Sequence, residues 1–160
     1  MENSKIDNIN ICIWGLGYLG YSNIIKYTNN GINLHISEFG IEKNKSHLIR
    51  NKQYPSNKLK KDFEYNKDSK PNFDNLIFKS NQYLFSLNRA VHILCNPDSL
   101  YLKKDNVNTL LHWLIKNKKT AFKKKPIFVI EFTSVPGSIF NDFIYILKKE
   151  RVIINKNYYL

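Results

Sequence analysis

The spacing of apolar residues switches along the chain between two patterns, one typical of strands and one typical of helices. Short apolar runs have the length of buried strands, and the segments between them place apolar residues at helical spacing. The predicted strands are Ile9–Trp14, Leu34–Glu38, Leu76–Phe78, Val91–Cys95 and Pro126–Glu131, and the predicted helices are Tyr21–Tyr27, Ile41–Asn51, Asp105–Asn117 and Ser138–Lys149, with a short helix or turn at Asn81–Arg89. This alternation predicts a Rossmann-like, doubly wound α/β fold, with a mainly parallel sheet and helices on both faces.

The 160 residues suit a single domain, spanning 1–160. The stretch 52–73 departs from the alternating pattern, because it is polar, rich in lysine and contains two prolines. We predict a loop with a short helix for this stretch.

A GxGxxG motif lies between the first predicted strand and the first predicted helix, which is the context that dinucleotide binding requires. Gly15 allows a tight turn out of the strand, Gly17 allows a pyrophosphate to approach the backbone, and Gly20 allows the helix to pack closely on the strand. The N–H groups of Tyr18, Leu19 and Gly20 are then expected to face the phosphates, at the positive end of the helix dipole.

An acidic residue, Glu38, ends the second predicted strand, roughly 20 residues beyond the glycine motif. A carboxylate at this position accepts both ribose hydroxyls of an adenosine and repels a 2′-phosphate. The expected cofactor is therefore NAD rather than NADP. The alternative is a glycine-rich turn with an unrelated surface glutamate.

Polar residues also follow two later strands of the predicted sheet. Asn96 follows one of them, and Thr133 and Ser134 follow the other. Ligands of parallel sheets bind at the carboxyl ends of the strands, near the point where strand order reverses. We expect these side chains on the nicotinamide side of the cofactor, although the neighbouring Asn-Pro and Pro-Gly pairs also suit plain turns.

The chain is strongly basic, with a net charge of +12 and a pI of about 9.6. Such a charge is typical of proteins that bind nucleic acid or an anionic surface. Only three of the cations are arginines, whereas sites that read bases favour arginine forks, and the lysine-, asparagine- and isoleucine-rich composition is typical of AT-rich codons. The densest basic run, 116–125, is expected to form a solvated loop after a helix, and we do not expect a nucleic-acid partner.

Cys12 and Cys95 lie inside predicted strands without CxxC spacing, so we interpret them as reduced core residues and expect no metal site. No apolar run is long enough to span a bilayer, and the first residues carry acids rather than the apolar segment of a secretory signal. We expect a cytoplasmic protein with no membrane partner.

These motifs together resemble the N-terminal domain of the UDP-glucose/GDP-mannose dehydrogenase family. The family's first strand and turn read like IxVIGLGYVG, against Ile11–Gly20 here, and Tyr18 inside the glycine turn is the most specific match. The family then has an acid followed five positions later by a basic residue, which correspond to Glu38 and Lys43 here. Glutamate in place of the family's aspartate shifts the expected ribose contact.

Two later motifs extend the resemblance over nearly the whole chain. The family's VPTP corresponds to Leu94–Pro97, with asparagine in place of threonine, and its ESTVPPGT-like segment corresponds to Glu131–Ser138, with two departures. The resemblance implies that Thr133 helps to position a catalytic water. The expected cofactor-binding residues are Gly15, Gly17, Tyr18, Leu19, Gly20, Glu38, Lys43, Asn96 and Thr133.

The resemblance implies a double NAD-dependent oxidation of a nucleotide sugar, from the C6 alcohol to the carboxylate, through a thioester on a cysteine. In the family that cysteine lies in later domains, which we expect to be absent here, and neither Cys12 nor Cys95 is expected to replace it. We therefore expect a truncated or split NAD-binding domain that is inactive alone.

Two alternatives stay open, a non-catalytic family remnant that acts as a binding or interaction module, and a basic nucleic-acid-associated domain. The last predicted strand, Asn157–Leu160, would form an exposed sheet edge. Such an edge favours a separate catalytic chain or a homo-oligomer as partner.

Overall fold

A computed structural model describes residues 9–37, 43–54, 60–61, 70–95, 105–131, 137 and 139–160. Its strands are β1 (Asn10–Trp14), β2 (Leu34–Ser37), β3 (Leu76–Lys79), β4 (Ala90–Leu94) and β5 (Ile127–Ile130). Its helices are α1 (Tyr18–Asn29), α2 (Lys43–Arg50), α3 (Asn81–Ser86), α4 (Asp105–Lys116), α5 (Lys118–Ala121) and α6 (Tyr145–Lys149), with a 3-10 turn at Phe73–Asn75 and a π-helical segment at Ile139–Ile144 that leads into α6.

The five strands form one parallel sheet in the order β3-β2-β1-β4-β5. In the central strand β1, Ile13 lies in register with Ile36 of β2 on one side and with Ile93 of β4 on the other. The chain thus adds strands outward on one side of β1 and then returns to add β4 and β5 on the other side. This order confirms the predicted doubly wound, Rossmann-like α/β fold.

Side chains of the central strand alternate between two hydrophobic cores, one on each face of the sheet. Cys12 and Trp14 belong to the first core and Ile13 to the second, and all three side chains are fully buried. The first core includes Leu114 of α4, and the second includes Ile24 of α1. The absence of a polar face on β1 is typical of a strand covered by helices on both sides, as the sequence predicts.

Two helical regions differ in extent from the prediction. Helix α1 begins three residues earlier, inside the glycine motif, and ends two residues later. The predicted helix Ser138–Lys149 is π-helical in its first part, and it places Phe143 and Leu147 in the core as expected. Most of the polar stretch 52–73 lies outside the described residues.

The predicted burial of β5 is wrong for part of the strand. Phe128 is buried, but Ile127 is 37% exposed and the two residues after Phe128 are half-buried. The Phe128 N–H donates to the Tyr159 carbonyl at 2.9 Å, and the Tyr159 N–H donates to the Pro126 carbonyl at 3.0 Å. The predicted strand at the end of the chain therefore contributes a parallel bridge at the outer edge of β5.

The basic run 116–125 is not the continuous loop that the sequence predicts, because α5 forms within it. Ala121 and Phe122 are buried, and the Phe122 ring lies 5.8 Å from the ring of Tyr158. Ala121 and Phe122, the apolar pair of this run, anchor it to the core, whereas the lysines around them are exposed. The predicted solvation is correct for the lysines and wrong for the apolar pair.

Candidate dinucleotide-binding site

The glycine motif lies at the carboxyl end of the central strand, where the strand order reverses. Strand β1 pairs with β2 on one side and with β4 on the other, so the turn after β1 is next to the ends of both neighbours. The N–H of Cys95, directly after β4, donates to the Trp14 carbonyl at 2.8 Å, which fixes the two strand ends side by side. In doubly wound sheets, this switch point is where ligands bind.

The three glycines of the motif meet three different steric requirements. Gly15 has a φ of 101°, a backbone conformation that residues with a side chain rarely adopt. A Cβ on Gly20 would overlap the carbonyl oxygen of Gly15 and would lie 3.4 Å from the Cβ of Cys95. A Cβ on Gly17 would meet no atom of the described residues within 4 Å, so the backbone there faces open space as far as those residues are concerned. The turn at Gly15 and the close packing at Gly20 are as predicted, whereas the approach of a pyrophosphate to Gly17 stays a prediction.

Helix α1 starts directly after Gly17, so the helix N-terminus is part of the turn. The first intrahelical bond runs from the Tyr21 N–H to the Gly17 carbonyl at 2.9 Å, and the first turn contains no acidic residue. The side chains of Tyr18 and Leu19 are 56% and 45% exposed. N–H groups of a first helical turn have no intrahelical acceptor, and the positive end of the helix favours an anion. The open space at Gly17 and this helix N-terminus together fit a pyrophosphate.

A polar cluster behind the glycine turn was missed by the sequence reasoning. The side-chain amide of Asn23, on α1, donates to the carboxylate of Glu131 after β5, and its nitrogen lies 3.5 Å from the Cys95 sulfur. The Cys95 sulfur lies 3.8 Å from the same Glu131 oxygen. These contacts connect α1 to the ends of β4 and β5. Cys95 is a buried core residue, as predicted, and its thiol also belongs to this polar group, which the sequence does not indicate.

Neither cysteine is activated as a nucleophile. Burial raises the pKa of the Cys12 thiol to about 12. Burial, followed by the negative charge of Glu131, raises the pKa of the Cys95 thiol to about 12 as well. Because the thiolate is the reactive form, both groups are inert near neutral pH. Both cysteines are free and buried, as predicted, and the described residues contain no group of three or more potential metal ligands.

The other predicted site residues follow strand ends that the structure describes. Glu38 is the residue after β2, Asn96 is the second residue after β4, and Thr133 is the third after β5. These three residues lie outside the described residues. Lys43 begins α2, and its side chain is likewise outside the described part. Their contacts with a cofactor therefore stay a prediction.

Among the described residues, no helix combines the length and the apolar character needed to cross a membrane.

Comparison with solved structures finds the same fold in an enzyme. The chain is similar to GDP-mannose dehydrogenase from Pseudomonas aeruginosa, solved at 1.55 Å as a ternary complex, with a TM-score of 0.63 and 16% sequence identity. The match covers 94% of this chain and 34% of the enzyme chain, so the present chain spans about a third of the enzyme's length. No protein-family model and no curated protein matches the sequence. At this identity the likeness establishes the Rossmann-like fold alone.

Proposed function

We propose that this chain is an NAD-binding domain of a nucleotide-sugar 6-dehydrogenase of the UDP-glucose/GDP-mannose type, and that it has no dehydrogenase activity alone. The observation that carries the proposal is the glycine turn at the switch point. Gly17 leaves open space beside a helix N-terminus, and Gly20 packs where no side chain fits. The fold shared with GDP-mannose dehydrogenase, whose match includes nearly all of this chain, supports the same function.

Three groups of residues would hold the cofactor in this proposal. The turn from Gly15 to Gly20 would take the pyrophosphate through backbone N–H groups. Glu38 would accept the adenosine ribose hydroxyls, with Lys43 nearby in sequence, and Asn96 and Thr133 would lie toward the nicotinamide. Bound NAD would accept a hydride from the sugar substrate.

The residues for the covalent part of such a reaction would come from outside this domain. Capture of an aldehyde requires an activated thiol, and the pKa values of Cys12 and Cys95 are both raised to about 12. We infer that the catalytic groups belong to a further domain, a separate catalytic chain or another copy in a homo-oligomer. The free, buried thiols favour a reducing compartment, so we place the protein in the cytoplasm.

Calorimetric titration with NADH and NADPH tests the proposal. We expect NADH to bind with a dissociation constant on the order of 1 mM or tighter, and NADPH to bind at least about tenfold more weakly because Glu38 repels the 2′-phosphate. The variant Gly17→Val should keep the fold and lose NADH binding, since its side chain would fill the space for the pyrophosphate. The variant Thr120→Val, at an exposed position on α5, is the control and should bind normally.

Two results would contradict the proposal. One is a parent chain that binds no NADH at millimolar concentration. The other is a Gly17→Val variant that binds NADH as tightly as the parent, which would mean that the phosphates lie elsewhere.

A further inference from the structure

Most of the net charge of the chain comes from two short segments, 116–125 and 148–156. They contain ten of the 25 lysine and arginine residues but one of the 13 acidic residues, Glu150. Together they carry a charge of +9 in 19 residues, and another basic stretch of the chain, 43–61, carries +7 in 19 residues. We call these two segments the basic end.

The fold brings the two segments of the basic end together. The Lys118 ammonium lies 3.4 Å from the Glu150 carboxylate and 3.5 Å from the Glu150 carbonyl oxygen. Val152 belongs to the same core cluster as Ala121 and Phe122, so both segments contribute to one hydrophobic core. The fold therefore gathers, at one end of the molecule, the cations of two segments that are separate in the chain.

The basic end lies at the opposite end of the sheet from the glycine turn. Helices α4 and α6 finish in these segments, and β5 starts just after the first one. In a parallel α/β sheet, the helices run against the strands, so helix C-termini lie at the amino ends of the strands. The glycine turn follows the carboxyl end of β1. A partner at the basic end would therefore not share the cofactor crevice.

Helix dipoles explain only part of this cluster. Cations in a last helical turn are favoured by the negative end of the dipole, which accounts for Lys116 of α4 and for Lys148 and Lys149 of α6. Lys123 and Lys124 follow the four-residue helix α5, whose dipole is small, and both are exposed. Because both side chains are exposed and carry the same charge, an anionic partner would relieve their mutual repulsion.

We propose that the basic end binds single-stranded nucleic acid through its phosphates, without sequence preference. Lysine ammonium groups act as point charges that hold phosphates but do not read bases. Exposed tyrosine rings flank them: Tyr145 is 53% exposed, with the Lys149 ammonium 4.6 Å above its ring, and Tyr159 is 43% exposed. Aromatic rings beside a basic surface are a common platform for stacking unpaired bases.

A lipid surface suits the same residues less well. Large aliphatic side chains with more than a third of their surface exposed, in or next to the two segments, are Ile127, Ile153 and Leu160. Interfacial binding needs a broader apolar face to enter the bilayer. The lysines of the basic end therefore favour a flexible chain of phosphates over an anionic membrane.

Fluorescence anisotropy with a labelled 20-nucleotide single-stranded oligonucleotide, in a salt series, tests this proposal on the full chain. The variant Lys119→Glu/Lys123→Glu/Lys124→Glu changes exposed side chains of the basic end. The variant Lys60→Glu/Lys61→Glu/Lys70→Glu makes the same change in net charge at exposed positions elsewhere and is the matched control. Circular dichroism checks that both variants are folded.

We expect the parent and the control to bind, and the basic-end variant to bind at least about tenfold more weakly at 0.1 M salt. For the basic-end variant, the plot of log K against log salt should become less steep by about 2, because three phosphate contacts are lost. Equal losses in both variants would show that net charge alone drives binding and would overturn the proposal. Absence of binding by the parent at low salt, equal affinity for polyglutamate, or binding to phosphatidylserine vesicles but not to the oligonucleotide would overturn it as well.

Discussion

Gly17 and Gly20 occupy opposite steric environments, although they belong to one motif. A Cβ on Gly20 would overlap the Gly15 carbonyl oxygen, which belongs to the backbone and cannot move without opening the turn. In the part of the chain that the structure describes, a Cβ on Gly17 would meet nothing within 4 Å, and the φ of Gly17, −80°, suits any residue. Stability and binding are therefore separable within this turn.

We predict that Gly20→Ala lowers the free energy of unfolding by about 2 kcal/mol or more, as overpacking does. Gly17→Ala should change it by less than about 0.5 kcal/mol, as for surface substitutions. Urea denaturation of the parent and both variants measures these differences. Equal stabilities for the two variants would mean that the helix does not pack against the turn as described.

His92 is a buried histidine surrounded by aromatic rings in the first core. Its Nδ1 accepts a hydrogen bond of 3.0 Å from the Trp14 indole N–H, and its ring stacks on Phe85 at 4.3 Å. Phe128 lies 5.6 Å away on another side. Burial lowers the pKa of His92 from 6.5 to about 3, so the native state holds the neutral form.

This burial predicts that the protein loses stability in mild acid. Between pH 6.5 and about 3 the unfolded chain binds a proton at His92 and the native state does not, so unfolding becomes easier as the pH falls. The loss in the free energy of unfolding that is due to His92 approaches about 1.4 kcal/mol per pH unit below pH 6.5 and vanishes above it. His92→Phe should reduce the pH dependence, and the remainder includes His35, whose pKa is also lowered by burial and by Lys79. Urea denaturation at pH 5 and pH 7 measures the effect, and an unchanged difference in the variant would contradict it.

At the residue scale, the sequence predicts sites whose partners are close in the chain. The steric roles of Gly15 and Gly20 follow from the motif and the strand before it. The contacts of Asn23 with Cys95 and Glu131 join residues 72 and 108 positions apart. Asn23 is a polar residue in an amphipathic helix, and only the folded chain shows that it turns inward.

At the element scale, the apolar pattern predicts which segments are strands, but it does not predict where each strand lies in the sheet. The runs that became β4 and β5 are similarly apolar, yet β4 lies inside the sheet and β5 lies near its edge. Composition encodes whether a segment is a strand, whereas tertiary pairing decides which of its sides is covered. Helix α5 was missed for a related reason, since lysines surround its one fully buried side chain, Ala121.

The edge of β5 provides a test at this scale. Tyr159→Pro removes the N–H that donates to Pro126 and disturbs the bond from the Phe128 N–H. We expect a loss of about 1 kcal/mol of stability and faster hydrogen exchange of the Phe128 amide. Tyr159→Phe keeps the backbone and is the control. Unchanged exchange in the proline variant would show that this bridge does not protect the edge.

At the scale of the whole molecule, the fold is similar to that of a solved enzyme although few residues are identical. The match to GDP-mannose dehydrogenase has a TM-score of 0.63 at 16% identity, while no family model matches. A doubly wound sheet tolerates wide substitution as long as the buried strands stay apolar. The overall fold was therefore predictable from pattern alone. The concentration of charge at one end was not, because 148–156 comes next to 116–125 only after folding.

The central claim, that a dinucleotide binds at the glycine turn, is tested most directly by amide chemical shifts of the 15N-labelled chain during titration with NAD. We predict that the largest shifts occur at the amides of Gly17 to Gly20, and that the amides of Lys123 and Lys124, at the opposite end, stay unchanged. An unchanged glycine turn at saturating NAD, or shifts confined to the basic end, would contradict the account.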